Sequence, residues 1–193
     1  MNPLQTLGLA LGAGFSSGLN LYATIATLGL LQRYHVVHLP PSLQVLSHPW
    51  VLGIAIALYA IEFIADKIPY VDTVWDAVHT LIRPPAAALL AYSATLDAPP
   101  EWRWSAALLA GGVALTSHGT KASTRAAVNT SPEPFSNWLL SLGEDALAVW
   151  LTWMATVHPT TTIVIVAFLV VLAGFLLFHL FRFLRRSLQR LFA

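Results

Sequence analysis

The sequence predicts an all-α protein, a polytopic bundle of about six transmembrane helices. Hydrophobic residues make up 56% of its 193 residues and charged residues only 10%, whereas soluble domains have roughly 25% charged residues. Long charge-free runs recur along the whole chain, and the charges gather at their ends and at a few internal positions. The chain has no cysteine, which excludes disulfides, thiolate metal sites and thiol catalysis. We therefore expect a single transmembrane domain over residues 1–193, without a cleaved signal peptide.

The first element is the uncharged run from Leu4 to Leu31. As one helix with a rise of about 1.5 Å per residue, it would be longer than the roughly 30 Å hydrocarbon core of a bilayer. We therefore expect it to tilt or to break. Glycine and short polar side chains favour a break by relaxing the helix and satisfying freed backbone groups. They cluster at Gly12, Gly14, Ser16, Ser17, Gly18 and Asn20.

Five further spans are expected over Trp50–Ala65, Pro84–Leu96, Trp104–Thr116, Phe135–Val157 and Thr160–Phe181. The second span contains Glu62, and the fifth contains Glu144 and Asp145 near its middle. The third and fourth are too short to cross a bilayer alone, so we expect amphipathic flanking turns to extend them. The sixth carries no charge, which makes it the clearest transmembrane helix.

Orientation follows from the placement of the cations. Threading six spans alternately leaves only Arg33 and Arg103 on one side and places the other eight Lys and Arg residues on the opposite side. The positive-inside rule then predicts that both termini are cytoplasmic. Residues 182–193 would form a basic amphipathic cytoplasmic tail.

A faint internal repeat relates Ser16–Asn20 to Ser117–Lys121. A duplication of three spans would relate halves 1–97 and 98–181 by inversion in the membrane, as in many transporters. Chance similarity between two helices rich in small residues is the alternative explanation.

A second amphipathic segment follows the second span. Apolar residues recur at helical spacing over residues 71–82, and Asp72, Asp76, His79 and Arg83 form a polar stripe. The stripe is either the solvated face of an interfacial helix or the lining of a cavity.

Acidic and basic residues should also meet inside the bundle. An acid at the centre of a membrane helix costs roughly 2.5–3.5 kcal/mol, so Glu144 and Asp145 should face the interior. Two adjacent acids make one of them a candidate proton carrier. The predicted pathway residues are Glu62, Asp66, Lys121, Arg125, Glu144, Asp145, Asn20 and Ser17. Secondary candidates are Asp72, Asp76, His79, Arg83 and His118. Pairing that only holds helices together is the alternative interpretation.

Other chemical signatures are weak or missing. His35, His38 and His48 share one loop, but loop histidines without acidic or thiolate neighbours are usually solvated, so we predict no metal site. The sequence contains no phosphate-binding glycine loop, no Rossmann fingerprint, no HExxH and no GxSxG. We therefore predict no catalytic residue and no cofactor, and an enzyme is the less favoured interpretation.

The combination of motifs resembles a bacterial family of integral membrane proteins known as domain of unknown function 4126. The resemblance covers the chain to about Val157 and implies a multi-pass protein of the bacterial inner membrane, without implying an activity. Its motifs are Ser17-Gly18-Leu19-Asn20 with Tyr22, Glu62, Asp66-Lys67, Pro69, Asp72, Arg83-Pro84, Lys121, Arg125, Ser141 and Glu144-Asp145.

Three functions fit these residues. The leading hypothesis is a transporter or channel for an ion or small polar solute. The second is a lipid-phosphate flippase or enzyme, in which Arg83, Lys121 and Arg125 hold the phosphate and Glu62 or Glu144 acts as a base. The third is a non-catalytic membrane scaffold. The expected partners are membrane lipids, the transported solute and a second copy of the chain in a homo-oligomer, with no nucleic acid.

Overall fold

The computed structural model of the chain describes residues 2–68, 70–129 and 135–191, with side chains up to Arg182 in the last helix. Within these residues the fold is all-α, as predicted, with no strand. Its helices are α1 (Pro3–Leu19), α2 (Leu21–Arg33), a 3-10 helix (Pro41–Ser47), α3 (Pro49–Ala65), α4 (Val71–His79), α5 (Arg83–Ala94), α6 (Pro100–Val128), α7 (Phe135–Val157) and α8 (Pro159–Leu191).

The first uncharged run forms a hairpin of two helices. The chain leaves α1 at Asn20, whose backbone is extended (φ −151°, ψ 102°), and α2 then returns towards the end of the bundle where α1 began. Pro3, at the start of α1, lines one cavity together with Pro40, which follows α2, and Ala98, in the turn between α5 and α6. The run is therefore not a single tilted crossing, because both of its ends lie on the same side.

The break occurs at Asn20, the last residue of the segment from Gly12 to Asn20 in which a break was expected. The helix α1 is regular at Gly12, Gly14 and Gly18. These glycines allow neighbouring helices to pack closely and do not bend α1. A Cβ at Gly12 would lie 2.8 Å from the Thr162 side chain, and one at Gly18 would overlap Ser117. The glycines therefore let α1 approach α6, α7 and α8 closely enough to occupy the centre of the bundle.

Two apolar clusters hold the hairpin in place. Leu9 of α1 and Leu28 of α2 pack with Leu39, Leu43 and Leu46 near the hairpin's open end. Farther along α1 a second cluster joins α6, α7 and α8, with buried members Phe15, Leu19, Val113, Ala148, Leu151 and Val166. The tip of the hairpin thereby has a fixed position deep in the bundle.

The later predicted spans correspond to helices, with some changes of length. α7 has the predicted bounds, and α3, α5 and α8 begin within one residue of the predicted starts. α6 continues unbroken from Pro100 to Val128, so the fourth apolar run and the cationic segment after it form one helix. Since α1 instead ends at Leu19, the segment Ser16–Asn20 spans a helix end, whereas Ser117–Lys121 lies inside α6. The two segments that suggested a repeat therefore differ in structure. The side chains of the basic tail beyond Arg182 lie outside the described residues.

By length and apolar composition, one described helix qualifies on its own to cross a membrane, over Pro159–Arg182. The 3-10 helix and α3 qualify as a second candidate only when taken together, and they meet at an angle of 65°. The six predicted spans remain a prediction.

Burial in this molecule is the reverse of that in a typical soluble domain. Large apolar side chains point outwards along several helices, including Trp50, Leu108 and Val171, which are 77%, 76% and 72% exposed. Many charged side chains are instead buried, and Glu62 and Arg83 are completely so.

Candidate functional site

The candidate site is a buried polar centre at the tip of the α1–α2 hairpin. A helix break inside a packed bundle leaves carbonyl groups at the end of one helix and N–H groups at the start of the next without partners. The Asn20 side-chain oxygen accepts from an N–H in the first turn of α2 at 2.9 Å. The carbonyls of Gly18 and Leu19 accept from Arg83 at 3.0 Å and from Lys121 at 3.1 Å. Two cations therefore cap the negative end of α1, which is a stabilising arrangement.

Arg83, the first residue of α5, joins that helix to α3, α4 and α6. Its guanidinium lies 2.8 Å from a Glu62 oxygen and 3.5 Å from an Asp76 oxygen. It also donates to Nδ1 of His118 at 2.8 Å. Since arginine has only donors, Nδ1 must accept, and the ring proton is on Nε2. The Nε2 atom lies 3.0 Å from the Asp76 carbonyl oxygen, to which it can donate. His118 is therefore held neutral in one tautomer.

Lys121 and Arg125 lie one turn apart on α6 and share an acid on α3. Asp66 Oδ2 is 2.9 Å from Lys121 and 3.1 Å from Arg125. Lys121 is also 3.5 Å from Glu62, and Arg125 is 2.7 Å from Glu144. Arg125 further donates to the Asp66 carbonyl at 2.8 Å, at the end of α3. Lys121 and Arg125 thus connect α6 to the end of α3 and to α7, and Arg125 also caps the carboxyl-terminal end of α3.

The two adjacent acids of α7 have different surroundings. Glu144 contacts Arg125 and lies 3.8 Å from Lys121, with 12% of its side chain exposed. Asp145 accepts a hydrogen bond from Asn20 Nδ2 at 2.8 Å. Among the described residues it has no ion-pair partner within 4 Å, and its second oxygen accepts no hydrogen bond. Asp145 is therefore the α7 acid that has no cation within 4 Å in the described part of the chain.

The polar stripe of α4 is buried, so its interpretation as a solvated face is wrong. Asp72 accepts from Asn129 Nδ2 at 2.8 Å, and His79 Nε2 lies 3.0 Å from the Tyr22 hydroxyl. Neither oxygen of Asp76 accepts a hydrogen bond from a described residue. Burial raises the pKa of Asp76 to about 6, against the lowering effect of Lys121 and Arg83. α4 has only 9 residues and lies at the end of the bundle, so it cannot itself cross a bilayer.

The centre carries more negative than positive charge. It contains six carboxylates and three buried cationic side chains, and Lys67 is a fourth cation at its edge, 3.4 Å from the Ser141 hydroxyl. With neutral histidines, the carboxylates outnumber the cations. Five carboxylate oxygens are buried without a hydrogen-bond partner among the described residues, on Glu62, Asp66, Asp76 (both oxygens) and Asp145. Buried groups of this kind need protons, cations or water, because an unpaired buried charge is costly.

Two grooves on the outer surface reach the acids of α7. One, of about 540 Å³, lies between α3 and α7 and has Asp145 in its wall. The other, of about 450 Å³, follows α7 to Glu144. Apolar side chains form most of the lining of both grooves. The grooves therefore open at the side of the bundle, among the exposed apolar surfaces of the helices.

The structure brings together all the predicted pathway and secondary residues. Ser17 is the least connected of them, because it is fully buried and its hydroxyl has no partner among the described residues. Sequence reasoning missed Asn137, which contacts Arg125 at 2.6 Å, and Asn129 as the partner of Asp72. Asn137 lies four residues before Ser141 and eight before Asp145, so the helical spacing on α7 was the available signal.

His35, His38 and His48 are exposed, and no group of three potential metal-ligating side chains occurs among the described residues. These observations give no support to a metal site in the first loop.

The family described as Domain of unknown function (DUF4126) matches residues 7–179. The chain belongs to this family. The match includes the hairpin, the polar centre and most of α8, and it confirms the resemblance that the motifs indicated. No curated protein and no solved structure matches the chain.

Proposed function

We propose that this family member is a multi-pass inner-membrane protein that moves protons or another small cation through its polar centre, as a transporter or channel. The inverted distribution of charged and apolar side chains supports the membrane location, because apolar helix faces are stable in lipid and buried charges need an interior site. The break at Asn20 supports a pathway, since irregular backbone at membrane depth occurs where it lines a cavity or packs on protein.

The hairpin leads us to propose a revised orientation. Arg33 and Arg103 lie at the end where α1 begins, since they donate to the carbonyls of Ser47 and Ala98. Lys67, Lys121 and Arg125 lie at the other end with the polar centre, which the positive-inside rule places towards the cytoplasm. The start of α1 would then be outside and the end of α8 inside. Both termini were expected in the cytoplasm because the first run was taken as one crossing.

The excess of carboxylates is the observation that carries the proposal. Arg83, Lys121 and Arg125 are each engaged by acids and backbone carbonyls, and of their donor atoms only Arg83 Nε is buried without a partner among the described residues, which leaves little to hold a phosphate. That arrangement disfavours the lipid-phosphate hypothesis. It also favours the scaffold hypothesis for the paired part of the centre, because capping of helix ends is a structural role. The scaffold hypothesis does not account for Asp145, which has no cation within 4 Å among the described residues.

The test is proton flux into proteoliposomes, followed with an internal pH dye and repeated with gradients of Na⁺ and K⁺. Asp145→Asn should lower flux at least tenfold while keeping the elution profile and thermal midpoint of the wild type. Asp97→Asn is the matched control, because it makes the same change at an exposed acid near the α5–α6 turn. Absence of wild-type flux for all three ions, or full flux in Asp145→Asn, would contradict the proposal.

A further inference from the structure

The groove between α3 and α7 has aromatic walls. Tyr59 and Phe63 line it from α3, and Trp150 and Trp153 line it from α7. Its volume of about 540 Å³ lies within the range of pockets that hold small molecules. The groove is therefore large enough for an organic ligand, and four aromatic side chains, the type to whose ring faces cations bind, contribute to its lining.

The charged residue in the lining of the groove is an acid. Asp145 contributes to its inner wall and is 5% exposed, and one of its oxygens has no hydrogen-bond partner among the described residues. Behind Asp145 lies the polar centre, in which carboxylates outnumber the cationic side chains. An anion would be repelled here, and a neutral ligand would leave the carboxylate unpaired in an apolar groove.

We propose that this groove binds a monovalent organic ammonium ion that carries apolar groups and enters from the side of the bundle. A carboxylate together with several aromatic faces recognises a substituted ammonium, whose charge is shielded by carbon and whose hydration is weak. A small metal ion would have to lose its water against apolar walls, and the described residues contain no group of three metal-ligating side chains. The inference rests on the proposed proton and small-cation pathway and adds a second class of ligand, an organic cation, that reaches the same polar centre from the side.

Lys67 shows that a cation can use this wall. Its ammonium nitrogen lies 3.1 Å from the centre of the Phe63 ring and donates to the Phe63 carbonyl at 2.9 Å. It also lies 3.4 Å from the Ser141 hydroxyl, one turn before Asp145 on α7. Because this resident charge repels a second cation, a singly charged ligand is favoured over a divalent one.

The test is calorimetric binding of benzyltrimethylammonium to the full-length protein in lipid nanodiscs, with empty nanodiscs as the reference. We expect saturable binding that weakens at least tenfold in Asp145→Asn and is unchanged in Asp97→Asn. Benzyl alcohol, a neutral probe of similar apolar shape, should bind at least tenfold more weakly than the ammonium. Equal binding of the two probes, equal binding by Asp145→Asn, or no saturable binding would overturn the inference.

A second variant keeps the test valid if Asp145→Asn does not fold. Trp150→Leu removes an aromatic wall and should weaken binding of the ammonium several-fold, whereas Trp104→Leu, at the opposite end of the bundle, should not. An unchanged affinity in Trp150→Leu would contradict cation recognition by the walls. Binding at equilibrium without ion flux would defeat the transport proposal alone, and ion flux without binding would defeat this inference alone.

Discussion

The polar centre has two parts that differ in their supply of cations. Around Lys121 and Arg125, acids and cations alternate at 2.7–3.1 Å, and the same cations cap α1 and α3. Around Asp145 and Asp76, carboxylate oxygens lack hydrogen-bond partners among the described residues, and the one ion pair of these two acids there is the 3.5 Å approach of Arg83 to Asp76. We infer that the cation-rich part closes the ends of interrupted helices and that the cation-poor part is available to protons or cations. The comparison predicts that changes in the first part mainly reduce stability and that changes in the second mainly alter binding and pH dependence.

The largest effect is expected for Arg125→Met. The variant leaves Glu144 with only Lys121, at 3.8 Å, and removes one of the two cations that contact Asp66, which keeps Lys121 at 2.9 Å. It also leaves the Asp66 carbonyl without one of its donors. Breaking a buried pair by removing one partner costs about 3–5 kcal/mol of unfolding free energy. Reversible unfolding in mixed micelles would measure it, with Arg103→Met as a control at the opposite end. A loss below about 1 kcal/mol would show that the cation-rich part is not structural.

From the sequence, the residues that form this cation-rich part could be predicted better than the role they have. Acids inside apolar runs are costly, so Glu62 and Glu144 could be assigned to a buried centre from composition alone. The role depends on where helices end, and the uncharged run around Asn20 gave no signal of whether the chain continues across or turns back. Once the chain turns back, Gly18 and Leu19 expose carbonyls that Arg83 and Lys121 cap. The sequence could therefore predict that Lys121 meets acids inside the bundle, but it could not predict that Arg83 and Lys121 cap the end of α1.

The second prediction concerns Asp76 in the cation-poor part. Burial raises its pKa to about 6 from the ordinary 3.8, so the folded protein holds this proton over a pH range in which the unfolded chain has lost it. Stability should therefore fall as pH rises from about 4 to 6 and stay lower above that range. Asp66 and Glu144 raise this pKa, and Lys121 and Arg83 lower it.

Asp76→Asn removes that titration. Relative to the wild type it should gain roughly 3 kcal/mol between pH 4 and pH 7, since one pKa unit corresponds to about 1.4 kcal/mol. Unfolding midpoints at a series of pH values would measure the gain, with Asp97→Asn as the control. A constant difference between Asp76→Asn and the wild type across this range would show that Asp76 titrates normally.

A smaller effect is expected at Gly18, where α1 approaches α6 closely and so positions the two parts of the polar centre. A Cβ at Gly18 would overlap the Ser117 hydroxyl and the Ala114 carbonyl, and the backbone of α6 cannot move aside as a flexible side chain would. Gly18→Ala should therefore lower the unfolding free energy by about 1–3 kcal/mol. Gly112→Ala, on α6 with nothing within 4 Å of the new Cβ, should instead be neutral or stabilise by up to about 1 kcal/mol. Equal effects of the two variants would argue against tight packing at Gly18.

The smallest difference in stability, and the clearest difference in function, is expected between the two adjacent acids of α7. Glu144→Gln loses the charge that Arg125 contacts at 2.7 Å, and hydrogen bonds to charged groups contribute about 1.5–3 kcal/mol. Asp145→Asn keeps an oxygen that can still accept from Asn20 at that position, so its stability should change by less than about 1 kcal/mol.

Flux should follow the opposite order, because the acid without a cation partner is the one free to exchange a proton or bind a cation. We therefore expect Asp145→Asn to be stable and inactive and Glu144→Gln to be less stable while the folded fraction retains flux. Measuring unfolding and proteoliposome flux on the same preparations separates the two effects. If Glu144→Gln is the stable, inactive variant, the pathway passes through the cation-rich part, and the division of the polar centre into a structural and an exchanging part is wrong.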